Sequence, residues 1–374
     1  MSTARVPADP RRRPAPARRS LVGTALAALA LAAQLAACSR GGAEAGTLPD
    51  VAAVPGAGDE AALRGAGSSF VEPLIEDWIA TYERDAPGVS IAYDPVGSVA
   101  GVDRLLAGEV DFATTEVPLT PLQRQRLEAE ASVVQVPWVS GAVAIVYNLP
   151  GVDRLRVDAA VLAGIYEGRI TRWDDPRLQA ANPGTILPGR PVVPVHRAGG
   201  SGTTAVLGGF LTRAGDGAWT RGDDPDVEVP AGVAVASSSA MVAQVRATAG
   251  AIGYVALGHA QGVGLRVAAV ANAAGTYVVP STEGMRSELA DARPRPFDSA
   301  ASLLFSSSAP GAYPLSTPTY VVLRSGPDPA RAAALRHFVE WALVTGQRSV
   351  ELAGYLSTPP VLLATALDQL ARLR

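Results

Sequence analysis

The sequence predicts an α/β fold, and three observations carry the prediction. From Leu63 onward, short β-type runs alternate with segments whose apolar residues recur at helical spacing. At 374 residues with a 48% hydrophobic share, the chain can fill the cores of two domains. Three runs that set glycines beside hydroxyl residues, Gly65 to Phe70, Val96 to Gly101 and Arg197 to Thr204, each fall where a helical pattern begins.

The elements follow in order. Phe70, Leu74, Trp78 and Tyr82 recur every four residues, with Ile75 and Ile79 alongside, so one face of a helix meets a core until Pro87-Gly88 stops it. Val89 to Tyr93 reads as a strand. A second helix turns Val102, Leu105 and Leu106 inward, and Val110 to Ala113 is the next strand. Thr120-Pro121 opens a third helix with a capping hydroxyl and a proline at the first helical position. Val133 to Trp138 and Gly141 to Tyr147 are two apolar strands separated by Val139-Ser140, the passage from one domain to the next. Then come a helix over 158–164, a strand from Val192 to Val195, a helix from Ser201, a helix over 239–248 and a strand from Ala251 to Val255. Segments 213–235 and 261–318 are loop-rich and receive no further elements. Thr319 to Leu323 is a strand returning to the first domain. Asp328-Pro329 caps a long helix with Leu335, Phe338, Val339, Ala342 and Leu343 inward and Gly346 at its end.

Function classes are narrowed by what is scarce. All 32 residues counted as Lys+Arg are arginine, which excludes a P-loop lysine, Schiff-base chemistry and a lysine general base. His196, His259 and His337 lie far apart, and Cys38 is the single cysteine, so neither a Cys/His metal site nor a cofactor is expected. The histidines read as structural or surface residues. A net charge of −3 without a basic block beyond the first twenty positions gives no reason to expect nucleic acid.

Arg11, Arg12, Arg13, Arg18 and Arg19 precede an apolar stretch from Leu21 to about Ala33, the layout of an export signal and too short for a bilayer span. It ends in Leu35-Ala36-Ala37-Cys38, which resembles the lipobox of bacterial lipoproteins. That resemblance implies cleavage before Cys38, acylation of that residue, and a lipid-anchored protein on the outer face of the membrane. Residues 39–61, rich in Gly, Ala and Pro, read as a flexible tether.

The glycine–hydroxyl runs carry the chemistry. A helix N-terminus presents unpaired backbone N–H groups and the positive end of the macrodipole, and therefore receives anions. Hydroxyl side chains add donors, and glycine lets a ligand approach the backbone. Three such runs, the third containing Arg197, point to a site that surrounds a small oxyanion with fixed donors.

On these segments the chain resembles the phosphate-binding proteins of bacterial Pst-type ABC transporters, members of the periplasmic binding protein group. The matching segments are Gly65 to Phe70, Val96-Gly97-Ser98, Asp111 to Glu116, Ile165 to Asp175, Arg197 to Thr203, Gly250 to Tyr254, Tyr313 to Thr317 and the helix through Phe338 to Trp341. The resemblance implies a two-lobed fold, type II-like, with two α/β lobes joined by crossing strands and the anion in the cleft between them. Lobe I would hold 62–139 and 319–374, and lobe II 140–318. It implies that Ser69, Phe70, Ser98, Glu116, Arg197, Ser201, Gly202 and Thr203 bind phosphate, and that the protein is a monomer, is not an enzyme and delivers its ligand to the permease subunits of an ABC transporter.

Two positions depart from the family pattern. The carboxylate that accepts the phosphate proton, and so rejects sulfate, is usually aspartate but here is Glu116. Gly199 stands where relatives often have an aspartate that steadies the arginine. The alternatives are a binding protein for sulfate, molybdate or arsenate, a phosphate-sensing lipoprotein, and a phosphate-ester hydrolase using Ser69 or Ser201. Against the hydrolase, no histidine stands directly beside either serine in sequence.

Overall fold

The computed structural model describes residues 61–290 and 307–373. The export signal, Cys38 and all of the expected tether except Ala61 lie outside them.

The chain opens with β1 (Ala61–Gly67), α1 (Glu72–Asp85), β2 (Val89–Asp94), α2 (Ser98–Leu106), β3 (Phe112–Thr115), α3 (Pro121–Glu128) and the sixteen-residue β4 (Val133–Asn148). There follow β5 (Arg156–Val157), α4 (Ala159–Tyr166), α5 (Pro176–Ala181), β6 (Val193–Arg197), α6 (Gly202–Ala214), β7 (Val233–Val235), α7 (Ser238–Ala247) and β8 (Ala251–Ala256). The rest comprises α8 (Leu257–Gly262), β9 (Arg266–Val267), β10 (Ala269–Ala271), β11 (Tyr277–Val278), α9 (Thr282–Leu289), β12 (Ser316–Arg324), α10 (Pro329–Val344), α11 (Gln347–Val350), β13 (Tyr355–Ser357) and α12 (Pro360–Leu370).

One sheet runs β2-β1-β3-β12-β4-β8-β6-β7, with β9 and β13 also pairing β4; β11-β10-β5 form a second. β4 joins the two ends of the main sheet. Its first part, Val133 to Ala142, pairs antiparallel with β12, and its second part, Val143 to Asn148, with β8. On one side β1, β2 and β3 are parallel, and on the other β6 is parallel to β7 and β8. The carboxyl ends of β1, β3 and β6, where open α/β sheets bind ligands, carry Gly67, Thr115 and Arg197.

The break expected at Val139-Ser140 does not occur. Those residues pair with Thr319 and Pro318 of β12 and with Ser357 and Leu356 of β13, so ladders on both flanks carry the strand through a polar residue. β3 begins two residues later than the periodicity places it, at Phe112. In the segments left unassigned the structure forms β7, α9 and several short strands.

Apolar helix stripes close the core as expected. Trp78 of α1 meets Trp138 of β4 edge-on, with ring centroids 5.2 Å apart, and donates its indole N–H to the Gly346 carbonyl at 3.0 Å. Tyr82 packs edge-on against Phe338 and Trp341 of α10. His337, expected as a surface or helix-flank residue, is buried on the flank of α10, with Nδ1 2.8 Å from the Tyr82 hydroxyl. The helix-stripe spacing of α10 overlooks such a residue because the ring reaches sideways to a neighbouring helix.

Candidate functional site

β1 ends at Gly67 with φ +141°, and a Cβ there would lie 2.3 Å from the Thr114 carbonyl oxygen. This close approach lets Ser68 donate its N–H to the same carbonyl at 3.0 Å, turning the chain away from the sheet. Ser69 is therefore not the cap of α1. The helix starts at Glu72 behind Val71, which makes no side-chain cap bond, and Ser69 stands free of it in the turn. Phe70 donates its N–H to the Ser68 hydroxyl at 3.0 Å, and its ring is fully buried edge-on to Tyr355.

Gly97, at φ +103°, donates its N–H to the Gly67 carbonyl at 2.7 Å and so ties the second run to the first. Ser98 is the first residue of α2 rather than its cap, and its hydroxyl donates to Glu116 Oε2 at 2.9 Å. Glu116 follows directly on β3 and is 4% exposed; its Oε1 accepts from the Thr319 hydroxyl of β12 at 3.2 Å. Burial pushes this carboxyl above its ordinary value, while hydrogen bonds from Ser68, Ser98 and Thr319 oppose the rise.

From the other side of β4 comes Arg197, 5% exposed at the end of β6. Its guanidinium donates through Nη1 to the Ser69 hydroxyl at 3.0 Å and through Nη2 to the Ala236 carbonyl at 2.8 Å. Its backbone N–H donates to the Tyr254 hydroxyl at 3.0 Å. Nε is buried with no partner among the described residues, and the guanidinium makes no ion pair there. Desolvation lowers its proton affinity, and the charges of Glu116 and Glu72 partly restore it.

Ser201 is the N-cap of α6, and its hydroxyl accepts from Thr204 N–H at 3.3 Å. Gly202 donates its N–H to the Ser98 hydroxyl at 3.1 Å, and Thr203 is buried in the same first turn. Direct hydrogen bonds thus join Ser69 with Arg197, Ser98 with Glu116, and Ser98 with Gly202. Phe70, Ser201 and Thr203 are their chain neighbours and make no hydrogen bond to the cluster.

The residues 50–344 match the model of a PBP superfamily domain. A phosphate-binding protein PstS 2 of Mycobacterium tuberculosis is 32% identical over 312 residues, covering 81% of this chain and 84% of its own length. The chain belongs to the PstS phosphate-binding protein family. A PstS of Xylella fastidiosa is 30% identical over 303 residues, with 80% of this chain and 82% of its own length covered. Among solved structures, a high-affinity periplasmic phosphate-binding protein bound with phosphate at pH 8.5 superposes with a TM-score of 0.66 at 19% identity, covering 83% of this chain and 93% of that one. The fold is accordingly the two-lobed periplasmic binding protein fold.

Around this cluster the structure adds residues that sequence reading missed. Ser238, at the start of α7, donates its N–H to Ser69 Oγ at 3.1 Å and has its own Oγ 3.0 Å from the same atom. Ala236-Ser237-Ser238-Ser239 is a hydroxyl-rich helix start of the same kind as the other runs, but it contains no glycine to draw notice. His259, expected as a surface or helix-flank residue, brings Nε2 to 2.8 Å from the Ser69 carbonyl and is partly buried. Burial holds its pKa below the ordinary imidazole value, with the nearby Arg197 charge adding to the effect. No pattern in the sequence marks it.

Proposed function

We propose that this protein binds inorganic phosphate in the cleft between its lobes and delivers it to the permease subunits of an ABC-type phosphate importer. The observation that carries the reading is the convergence on one buried place of Arg197, the start of α6, and the Ser69 and Ser98 hydroxyls beside Glu116. A guanidinium fork matches two oxygens of a tetrahedral anion, and bonds to an ionised partner are the strong ones. Phe70 N–H, Ser201, Gly202 and Thr203 supply the remaining neutral donors in this reading. Glu116 takes the role of acceptor for the proton that phosphate carries and sulfate lacks.

In this reading residues 62–139 with 319–374 form lobe I, and 140–318 lobe II. Cys38 carries the lipid anchor that keeps the exported, monomeric protein on the outer face of the membrane. A hydrolytic role has little support. The partners of the Ser69 hydroxyl are Arg197 and Ser238, while His259 reaches only the carbonyl, so no base addresses the oxygen a nucleophile would use. Among the described residues no group of three His, Cys, Asp or Glu side chains could hold a metal, and no helix is long and apolar enough to cross a membrane.

Titration calorimetry of the full chain in detergent, with phosphate and then sulfate, tests the proposal. Micromolar or tighter binding of phosphate, with sulfate much weaker, is the expected result. Phosphate binding no tighter than about millimolar would overturn it.

A further inference from the structure

Around Ser69 Oγ the hydrogen-bond valences can be counted. A hydroxyl has two lone pairs and one proton. Arg197 Nη1–H, at 3.0 Å, and Ser238 N–H, at 3.1 Å, fill both lone pairs. The proton of Ser69 must then go to Ser238 Oγ at 3.0 Å, because a third donor would find no lone pair. The Ser238 proton is consequently left for another acceptor, and the residue is 1% exposed. Beside it lies Arg197 with a buried, unpartnered Nε–H and no ion pair among the described residues.

One neutral oxygen therefore stands where a guanidinium N–H, a helix-start N–H and a hydroxyl group meet. Such a set of donors is suited to an anionic oxygen, which accepts more bonds, and stronger ones, than a serine hydroxyl. Resting on the phosphate-binding reading, we propose that Ser238 is a further contact of the bound anion. Its N–H and O–H join Arg197 Nη1 on a phosphate oxygen that displaces Ser69 Oγ from these donors. Ser69 then turns its own O–H to the ligand. α7 becomes a fourth helix start at the site, held in place by the bond from Arg197 Nη2 to the Ala236 carbonyl at 2.8 Å.

The backbone at this position allows a clean test. Ser238 is the first residue of α7, where proline is tolerated, and Ser237 has φ −142° and ψ 172°, the extended conformation that a residue before proline prefers. Ser238→Ala removes the hydroxyl alone; Ser238→Pro removes the hydroxyl and the N–H. Phosphate titrations of the full chain should show Ser238→Ala weakened about fivefold to tenfold and Ser238→Pro about thirtyfold or more. Far-UV circular dichroism establishes that each variant is folded, and Ser238→Ala suffices if the proline variant is not. If the unmodified chain binds phosphate and Ser238→Ala binds it equally well or more tightly, the inference is overturned while the phosphate reading stands. If the unmodified chain does not bind phosphate, both fall.

Discussion

The Glu116 carboxylate lies so close over Gly202 that a Cβ built on the glycine would stand 2.3 Å from Oε2 and 2.6 Å from Ser98 Oγ. The glutamate side chain thus fills the space in front of the α6 N-terminus, and only glycine leaves room for it. Gly202→Ala should cost about 1–3 kcal/mol of stability through overpacking and should weaken phosphate binding with it. Glu116→Asp shortens the side chain by one methylene. In the double variant it should recover part of both losses, so a double-mutant cycle on melting temperature and affinity should give a non-zero coupling. Additive losses would mean that the two residues do not share this space.

Glu116 also sets a pH dependence. Its folded pKa lies above the unfolded 4.5 because burial disfavours the charged form. Below that value both states hold the proton and the group has no effect. As pH rises, the unfolded chain releases its proton first, so the folded state binds more protons and stability falls until the folded pKa is passed. Melting curves of the wild type should therefore lose ground to Glu116→Gln as pH rises from 4.5 toward neutrality. Parallel curves would place the carboxyl in a better-solvated setting than the structure gives it.

How far the site was legible follows from how each residue signals itself. Ser69, Ser98, Arg197 and Ser201 stand out as candidates because glycine beside a hydroxyl at a helix start is a local pattern, and the structure links Ser69 to Arg197 across 128 residues. Ser69 and Ser98 do not cap their helices, since Val71 and Gly97 hold those positions and leave both hydroxyls turned toward the site. Thr319 and His259 act only through partners distant in sequence, so nothing near them announces a role, and the hydroxyl-rich helix start at Ser238 lacks the glycine that marks the other runs. The same division holds for the fold. Leu74, Trp78 and Tyr82 of the four-residue stripe fall on α1, while Phe70 lies in the turn before it, and the unbroken course of β4 depends on β12 and β13 lying on its flanks.

Arg197 separates binding from stability. Its guanidinium is buried without an ion pair among the described residues, and desolvation already works against its charge. Replacing a buried, poorly compensated cation with an apolar side chain of similar length is often neutral or stabilising. Arg197→Met should lower phosphate affinity by at least about 100-fold, since two charge-assisted bonds are lost, while the melting temperature stays level or rises. A large fall in melting temperature would show instead that the bonds to Ser69 and Ala236 hold the lobes together.

His259 gives the opposite slope to Glu116. Its folded pKa is depressed below 6.5, chiefly by burial and secondarily by the Arg197 charge, with Glu76 and the Ser69 carbonyl acting the other way. Above 6.5 both states are neutral and the packing of the ring contributes in full. As pH falls from 6.5 through the folded pKa, the unfolded chain takes up the proton first and stability is lost. His259→Gln keeps an N–H to donate to the Ser69 carbonyl but cannot titrate. The wild type should therefore fall relative to this variant between pH 6.5 and 5 in thermal melts, with the two alike in slope at pH 7 to 8. Because the imidazole holds the Ser69 peptide at 2.8 Å, His259→Ala should in addition weaken phosphate binding, and His259→Gln should restore it. Equal affinity in all three proteins would confine the histidine to packing.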